Sequence, residues 1–245
     1  MLTWNGKSSI EVKSAQNNGR WLASGTHTHL SIIIQTIITM CYYLKVATTA
    51  KKLAEQYNKD CTIDFTPGDF NGFEHPLTPV IANTQPEAIK LAKWGLVPHW
   101  ADRNFEARNT LNARIETLSD KASFSPYLSN RCLVLISGFY EWQWLDQQGK
   151  RKQKYYITAP SESFALAGLW SVYDQQLTYS IVTTAANPQM ALIHNSKERM
   201  PVVLSGTQEA DWLAGAPIAG FRDCQAILNP QPLMEIAPNS QLSLF

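Results

Sequence analysis

Apolar and polar positions fall into regular order only from about residue 40 onward. Before that point, residues 5–29 are polar and rich in Gly, Ser and Asn, with neither helical nor strand period. They lead into an apolar run, Ile32-Ile33-Ile34-Gln35-Thr36-Ile37-Ile38. Beyond it, residues 48–58 read as a helix, with Leu53 and Tyr57 four apart on one face. Residues 61–65 form a short predicted strand, and Thr66-Pro67-Gly68 turns the chain. A turn-rich aromatic segment, Phe70-Asn71-Gly72-Phe73-Glu74-His75-Pro76, precedes a strand at 78–82. Residues 88–98 read as another strand ending in a Pro-limited loop, and 99–110 as polar loop or helix. The continuous apolar run 131–136 has the pattern of a central strand. Strands at 139–145 and 154–158 flank a hairpin loop at 146–150, and the meander continues through 164–170 and 177–183. A helix at 187–194 carries Pro188 in its first turn; a second spans 207–213, and 225–228 reads as a last strand. This order predicts an α+β fold, a mostly antiparallel, curved or barrel-like sheet core with flanking helices. It forms one domain from Met40 to about Ala237.

Composition narrows the class. With 245 residues, 44% hydrophobic and 17% charged, the chain can bury a real core. A net charge of +1 supplies no global attraction to nucleic acid, so any polyanion site must be a local patch. Cys41, Cys61, Cys132 and Cys224 are widely scattered without a C-x-x-C pair, which argues against zinc, and Cys61 and Cys132 read as reduced core residues. No metal or organic cofactor is required by the pattern. The expected location is therefore intracellular: cytoplasmic, nucleoid-associated. The apolar run at 30–39 is shorter than the ~20 residues that span a bilayer, and it lacks the marks of a signal peptide. Residues 1–39 are read as a non-native or removable extension.

Met40-Cys41 stands where orderly patterning begins, as a second start of translation would. Trimmed of Met40, Cys41 would carry an α-amine of pKa about 7.7–8.0 beside a thiol of about 8.5. Such a 1,2-aminothiol captures aldehydes, first as a Schiff base and then as a thiazolidine. The alternative is an ordinary buried cysteine. Asn112-Ala113-Arg114-Ile115-Glu116 packs an amide, a guanidinium and a carboxylate together, fit to clamp phosphate or to form a structural ion pair. In Gly138-Phe139-Tyr140-Glu141-Trp142, burial of Glu141 would raise its pKa toward acid–base use. Strand alternation alone would instead turn Glu141 to solvent between inward-facing Tyr140 and Trp142. His194 could move protons or be a satisfied structural residue. Trp94 and Trp100 bracket Gly95-Leu96-Val97-Pro98-His99; exposed indoles could stack on unpaired bases, and core packing is the alternative. The basic run at 150–154 reads as a solvated hairpin tip.

Together and in this order, Met40-Cys41, Trp94-Gly95-Leu96-Val97-Pro98, the Asn112–Glu116 and Gly138–Trp142 motifs, and Ile193-His194…Arg199-Met200-Pro201 resemble the SOS response-associated peptidase (SRAP) family. The resemblance covers residues 40–204. It implies recognition of abasic sites in single-stranded DNA and a covalent thiazolidine crosslink through an N-terminal Cys41. Asn112 would position the reacting amine or sugar, Glu141 would act as general acid/base, and His194 would assist sugar-ring opening. Arg114 would hold a phosphate and Trp100 would wedge against neighbouring bases, with Asn71 and Arg199 as further DNA contacts. The family's fold, mixed sheets in a barrel-like core, agrees with the α+β reading. Tyr42 and Tyr43 replace the common Gly-Arg after the cysteine, and the spacer between His194 and Arg199 is longer than in some relatives.

Residues 238–245 form a tail in which Gln241-Leu242-Ser243-Leu244-Phe245 resembles the bacterial sliding-clamp motif. Leu242, Leu244 and Phe245 would fill an apolar cleft while Gln241 hydrogen-bonds at its edge; a packed terminal strand is the alternative. Two other functions compete: a thiol (auto)peptidase using Cys41, His194 and Glu141, and a non-catalytic DNA- or clamp-binding adaptor. The expected protein is a monomer without membrane association.

Overall fold

A computed structural model describes residues 41–234. The extension 1–39, Met40 and the tail at 238–245 therefore lie outside the described residues. In chain order the elements are β1 (Tyr43–Val46), α1 (Ala50–Tyr57), β2 (Asp60–Cys61), β3 (Gly68–Asn71), β4 (Leu77–Ala82), β5 (Ala88–Trp94), β6 (Asn112–Arg114), β7 (Arg131–Ile136), β8 (Gly138–Trp144) and β9 (Lys152–Thr158). They continue as β10 (Phe164–Tyr173), β11 (Gln176–Ala185), α2 (Pro188–Ile193), β12 (Arg199–Pro201), β13 (Val203–Leu204), α3 (Gln208–Leu213) and β14 (Asn229–Pro232).

Two sheets result. The larger runs β12-β11-β10-β7-β4-β5-β2, with β13 on β10 and β6 on β11. A parallel pairing of β11 with β5 closes strands β11, β10, β7, β4 and β5 into a five-strand barrel. The smaller sheet runs β14-β9-β8-β1-β3. Every side chain of β7 is buried because both of its faces are covered. Cys132, Val134 and Ile136 join Leu44, Phe139 and Ile157 of the smaller sheet in one apolar cluster. Leu133 and Leu135 pack in a second cluster with Leu53 of α1 and Trp212 of α3. That two-sided burial is the reason the β7 segment is apolar at every position after Arg131. Arg131 itself is held inside: Nη1 donates to the carbonyls of Trp212 (3.3 Å) and Ala216 (2.7 Å) as its guanidinium lies 4.5 Å from the Trp212 ring centroid. The cation thus meets the carbonyl end of α3, where the helix dipole favours it.

Local signals explain the boundaries. Thr49 caps α1 through its side chain, and Asn58 ends it in the left-handed region at φ 50°. Asn187 caps α2, with Pro188 at its first position. In the β8–β9 hairpin, Asp146 Oδ1 accepts the amides of Gln148 and Lys150 and Oδ2 that of Arg151. Two predicted strands need correction. Only Asp60–Cys61 pairs with β5; Ile63 and Phe65 alternate inward as a strand would and pack on an apolar cluster, but pair with no strand. Residues 225–228 are irregular, and the last strand is Asn229–Pro232, antiparallel on the outer edge of β9. Pro230 and Pro232 lack amide hydrogens, and an edge position tolerates that. The barrel also adds parallel pairings to the mostly antiparallel sheet expected.

Candidate functional site

Cys41 leads into β1 and is 2% exposed. Asn112, on β6, donates from Nδ2 to the Cys41 carbonyl at 3.0 Å across 71 residues of sequence. Its Oδ1 is buried without a hydrogen-bond partner. The Cys41 thiol contacts the Tyr43 carbonyl at 4.0 Å. Burial first, and the nearby Glu141 charge second, raise its pKa well above the ordinary value, so the thiol is neutral at pH 7.

The register of β8 sets the face of Glu141. Phe139 pairs with Leu44 and Tyr140 with Tyr43, so Phe139 and Glu141 point into the core. Tyr140 and Trp142 take the outer face, where Lys154 covers them at 4.1 and 5.5 Å. The solvent-facing reading of Glu141 is thus corrected: alternation holds, with the opposite phase. Glu141 is 3% exposed, and burial pushes its carboxyl up to about 8. Its Oε1 has no hydrogen-bond partner. At neutral pH this group is a protonated acid.

His194 ends α2 and is 3% exposed. Its Nδ1 lies 2.7 Å from the Arg199 carbonyl. A carbonyl can only accept, so Nδ1 carries the hydrogen and the neutral ring has its lone pair on Nε2. Burial holds the imidazole below its ordinary pKa; the Arg199 carbonyl opposes that shift, and the Arg199 and Lys197 charges add to it. His194 and Glu141 line one cavity of about 60 Å³ with Trp142, Trp144, Lys152 and Ser196. The structure therefore joins two residues that lie 53 positions apart.

Asn112 and Arg114 open onto a second cleft of about 570 Å³, shared with Phe105, Lys121 and Phe124. Arg114 is exposed there. Trp100 is 50% exposed and meets Phe105 edge-on, with ring centroids 5.6 Å apart. Trp94 is fully buried instead, donating to the Leu111 carbonyl at 2.8 Å, so its stacking reading gives way to core packing. A wider cleft of about 920 Å³ shares Phe105 and Glu106 with this one, but its cations Lys93, Arg103 and Arg108 are balanced by Asp102, Glu106 and Asp174.

Two candidates are engaged elsewhere. Asn71 caps a short turn, accepting from the Phe73 amide at 3.1 Å and donating to Glu74 at 3.1 Å. Arg199 makes a two-point ion pair with Glu116 at 2.7 and 2.9 Å. The ion pair expected within the 112–116 motif thus forms from Glu116 to a distant arginine. Asn195 was not singled out from the sequence; its amide exchanges two 2.9 Å hydrogen bonds with the Trp144 backbone and ties the His194 turn to β8. Only an adjacent His-Asn pair hinted at it. Tyr43, at the position of the family's arginine, packs edge-on against Trp142 at 5.1 Å. Among the described residues no group of three His, Cys, Asp or Glu is placed to hold a metal, and no helix is long and apolar enough to cross a membrane.

Residues 40–241 match the model of the family described as SOS response associated peptidase (SRAP). The chain belongs to that family. Among SRAP-like relatives it is 32% identical over 189 residues to the abasic site processing protein YoqW of Bacillus subtilis, covering 71% of this chain and 80% of that protein. It is 28% identical over 190 residues to the abasic site processing protein HMCES of Gallus gallus, covering 65% of this chain and 54% of that one. A crystal structure of a protein from Bacteroides thetaiotaomicron superposes with TM-score 0.70 at 28% identity, covering 79% of this chain and 92% of that one. The SRAP fold is therefore the barrel and flanking sheet described above, and Cys41, Asn112, Glu141 and His194 all lie within the matched span.

Proposed function

We propose that this protein processes abasic sites in single-stranded DNA by covalent capture through Cys41. The observation that carries the reading is a chain of contacts leading from Cys41: the Asn112 amide on its carbonyl, the buried Glu141 carboxyl near its thiol, and the His194 imidazole sharing a cavity with Glu141. In the proposed sequence His194 takes a proton from the C1′ hydroxyl of the sugar, the C1′–O4′ bond breaks to give the aldehyde, and the proton passes from His194 to O4′. The Cys41 α-amine adds to that carbonyl, Glu141 donates a proton to the hydroxyl that leaves as water, and its carboxylate then takes the proton released from nitrogen, giving a neutral Schiff base. The neutral thiol then adds to the imine carbon; a C–S bond forms and the thiol proton ends on nitrogen, closing the thiazolidine. One water is lost overall and no redox partner is needed. Arg114 serves as the phosphate contact, and Trp100 stacks on a base beside the lesion.

The chemistry requires a free amine on Cys41, so the Met40–Cys41 peptide bond must be absent in the active form. The peptidase alternative needs an activated thiolate oriented by Glu141 through His194; the raised thiol pKa runs against the first, and the Arg199 carbonyl already occupies the Nδ1 position Glu141 would need. The adaptor alternative predicts that Cys41→Ser changes nothing. The test is intact-mass analysis of protein beginning at Cys41, incubated with an abasic single-stranded oligonucleotide. A denaturant-resistant adduct, minus one water and absent in Cys41→Ala, is expected. Equal crosslinking by chain that retains residues 1–40 would rule the amine mechanism out. Residues 241–245 are proposed to recruit a bacterial sliding clamp; deleting them should abolish clamp pull-down and leave adduct formation intact.

A further inference from the structure

We propose that Glu116 and Arg199 form a positioning pair that holds His194 in one tautomer and orientation, so that Arg199 is a brace rather than a phosphate ligand. This rests on the acid–base role of His194 proposed above. The Arg199 side chain is 11% exposed; both Nη groups of its guanidinium meet acceptors, while Nε is buried without a partner. Nη1 donates to Glu116 Oε1 at 2.7 Å, and Nη2 to Glu116 Oε2 at 2.9 Å, to the Thr183 carbonyl at 2.9 Å and to Thr183 Oγ1 at 3.3 Å. Burial alone would raise the Glu116 carboxyl, but hydrogen bonding and charge from Arg199 outweigh it and hold the carboxyl below its usual range.

The pair spans the site. Glu116 follows β6, which carries Asn112 and Arg114, and Arg199 opens β12. Between them runs β11, where Thr183 pairs with Arg114 and Ala185 with Arg199. Glu116 therefore bridges over β11 from the Asn112 side to the His194 side. The backbone carbonyl of Arg199 is the acceptor for His194 Nδ1. The intervening turn closes on itself: the Glu198 amide donates to the His194 carbonyl at 2.8 Å, and Glu198 adopts φ 52°. Fixing Arg199 at one end of so short a turn fixes the carbonyl that selects the tautomer. A bidentate arginine–carboxylate pair is the geometry best suited to such fixing.

The test uses protein beginning at Cys41 as wild type, Glu116→Gln, Glu116→Asp and Arg199→Lys. Nitrogen-15 spectra read the His194 tautomer, and adduct formation is timed at saturating abasic oligonucleotide. Affinity and its salt dependence are read with an oligonucleotide carrying a non-reactive tetrahydrofuran lesion, and melting confirms folding. Glu116→Gln should mix the His194 tautomers and slow adduct formation about tenfold with affinity and salt slope unchanged; Glu116→Asp should recover part of the rate. A phosphate-ligand role predicts the reverse: Glu116→Gln frees the guanidinium and tightens binding, and Arg199→Lys weakens binding. Either of those results, or unchanged His194 spectra in Glu116→Gln, overturns the proposal. If the wild type forms no adduct, the capture reading falls while the spectra still decide the pair.

Discussion

Replacing Glu141 by Gln isolates the cost of burying one carboxyl. In the folded protein burial moves this group from an ordinary 4.5 to about 8. At 1.36 kcal/mol per pH unit, the ionised form carries a penalty on the order of 5 kcal/mol. The sign follows from proton counts. Between pH 4.5 and about 8 the unfolded chain has lost the Glu141 proton while the folded protein keeps it. Folded stability therefore falls as pH rises through that window and levels off above it. Glutamine preserves shape and one carbonyl oxygen but does not titrate. Relative to wild type, Glu141→Gln should gain stability with rising pH, up to a few kcal/mol between pH 5 and pH 8. Urea unfolding of both proteins at four or five pH values measures the difference. A difference that stays flat with pH would refute a buried, protonated Glu141. The same substitution removes the proposed acid, so adduct formation should slow by about 10²-fold or more.

Four more outcomes are expected from the same geometry. Asn112→Ala leaves the Cys41 carbonyl without its donor, at a cost of about 1–3 kcal/mol in urea unfolding, and slows adduct formation under single-turnover conditions. Trp100→Ala removes a half-exposed indole, so melting should barely move while affinity for a lesion-bearing single strand drops by about 1–3 kcal/mol in anisotropy titrations. Gly95→Ala places a Cβ 2.7 Å from His75 Nδ1 at a residue with φ 113°; calorimetry should show destabilisation of at least about 1–3 kcal/mol. Because burial and neighbouring cations depress His194, a nitrogen-15 titration of the folded protein should show its ring gaining a proton only below the ordinary imidazole range. Protonation of the ring at or above ~pH 7 would contradict that.

Much of the secondary structure was legible because local rules decide it. Thr49 and Asn187 mark helix starts, Asp146 makes the hairpin turn, and the unbroken apolar β7 run requires two covered faces. Failures occurred where a partner strand was needed. Residues 62–65 alternate as a strand does and pair with nothing, whereas Asn229–Pro232, outside the strand expected at 225–228 and holding two prolines, pairs because β9 offers a free edge.

The candidate site divides along the same line. Sequence alone determined which residue types were available: an isolated thiol after Met40, an Asn-Ala-Arg motif, a glutamate among aromatics and a histidine at a helix end. These motifs, in order, also determined the family. Tertiary structure decided what each residue became. The phase of Glu141 depends on its strand's register with β1, and a one-residue slip would turn it to solvent. The Asn112–Cys41 bond and the Glu116–Arg199 pair join residues 71 and 83 apart. Periodicity carries no information at such separations, because it reports which face is covered and never by what. The elevated Glu141 carboxyl and the depressed His194 imidazole follow from burial, which exists only once the sheets have closed over both.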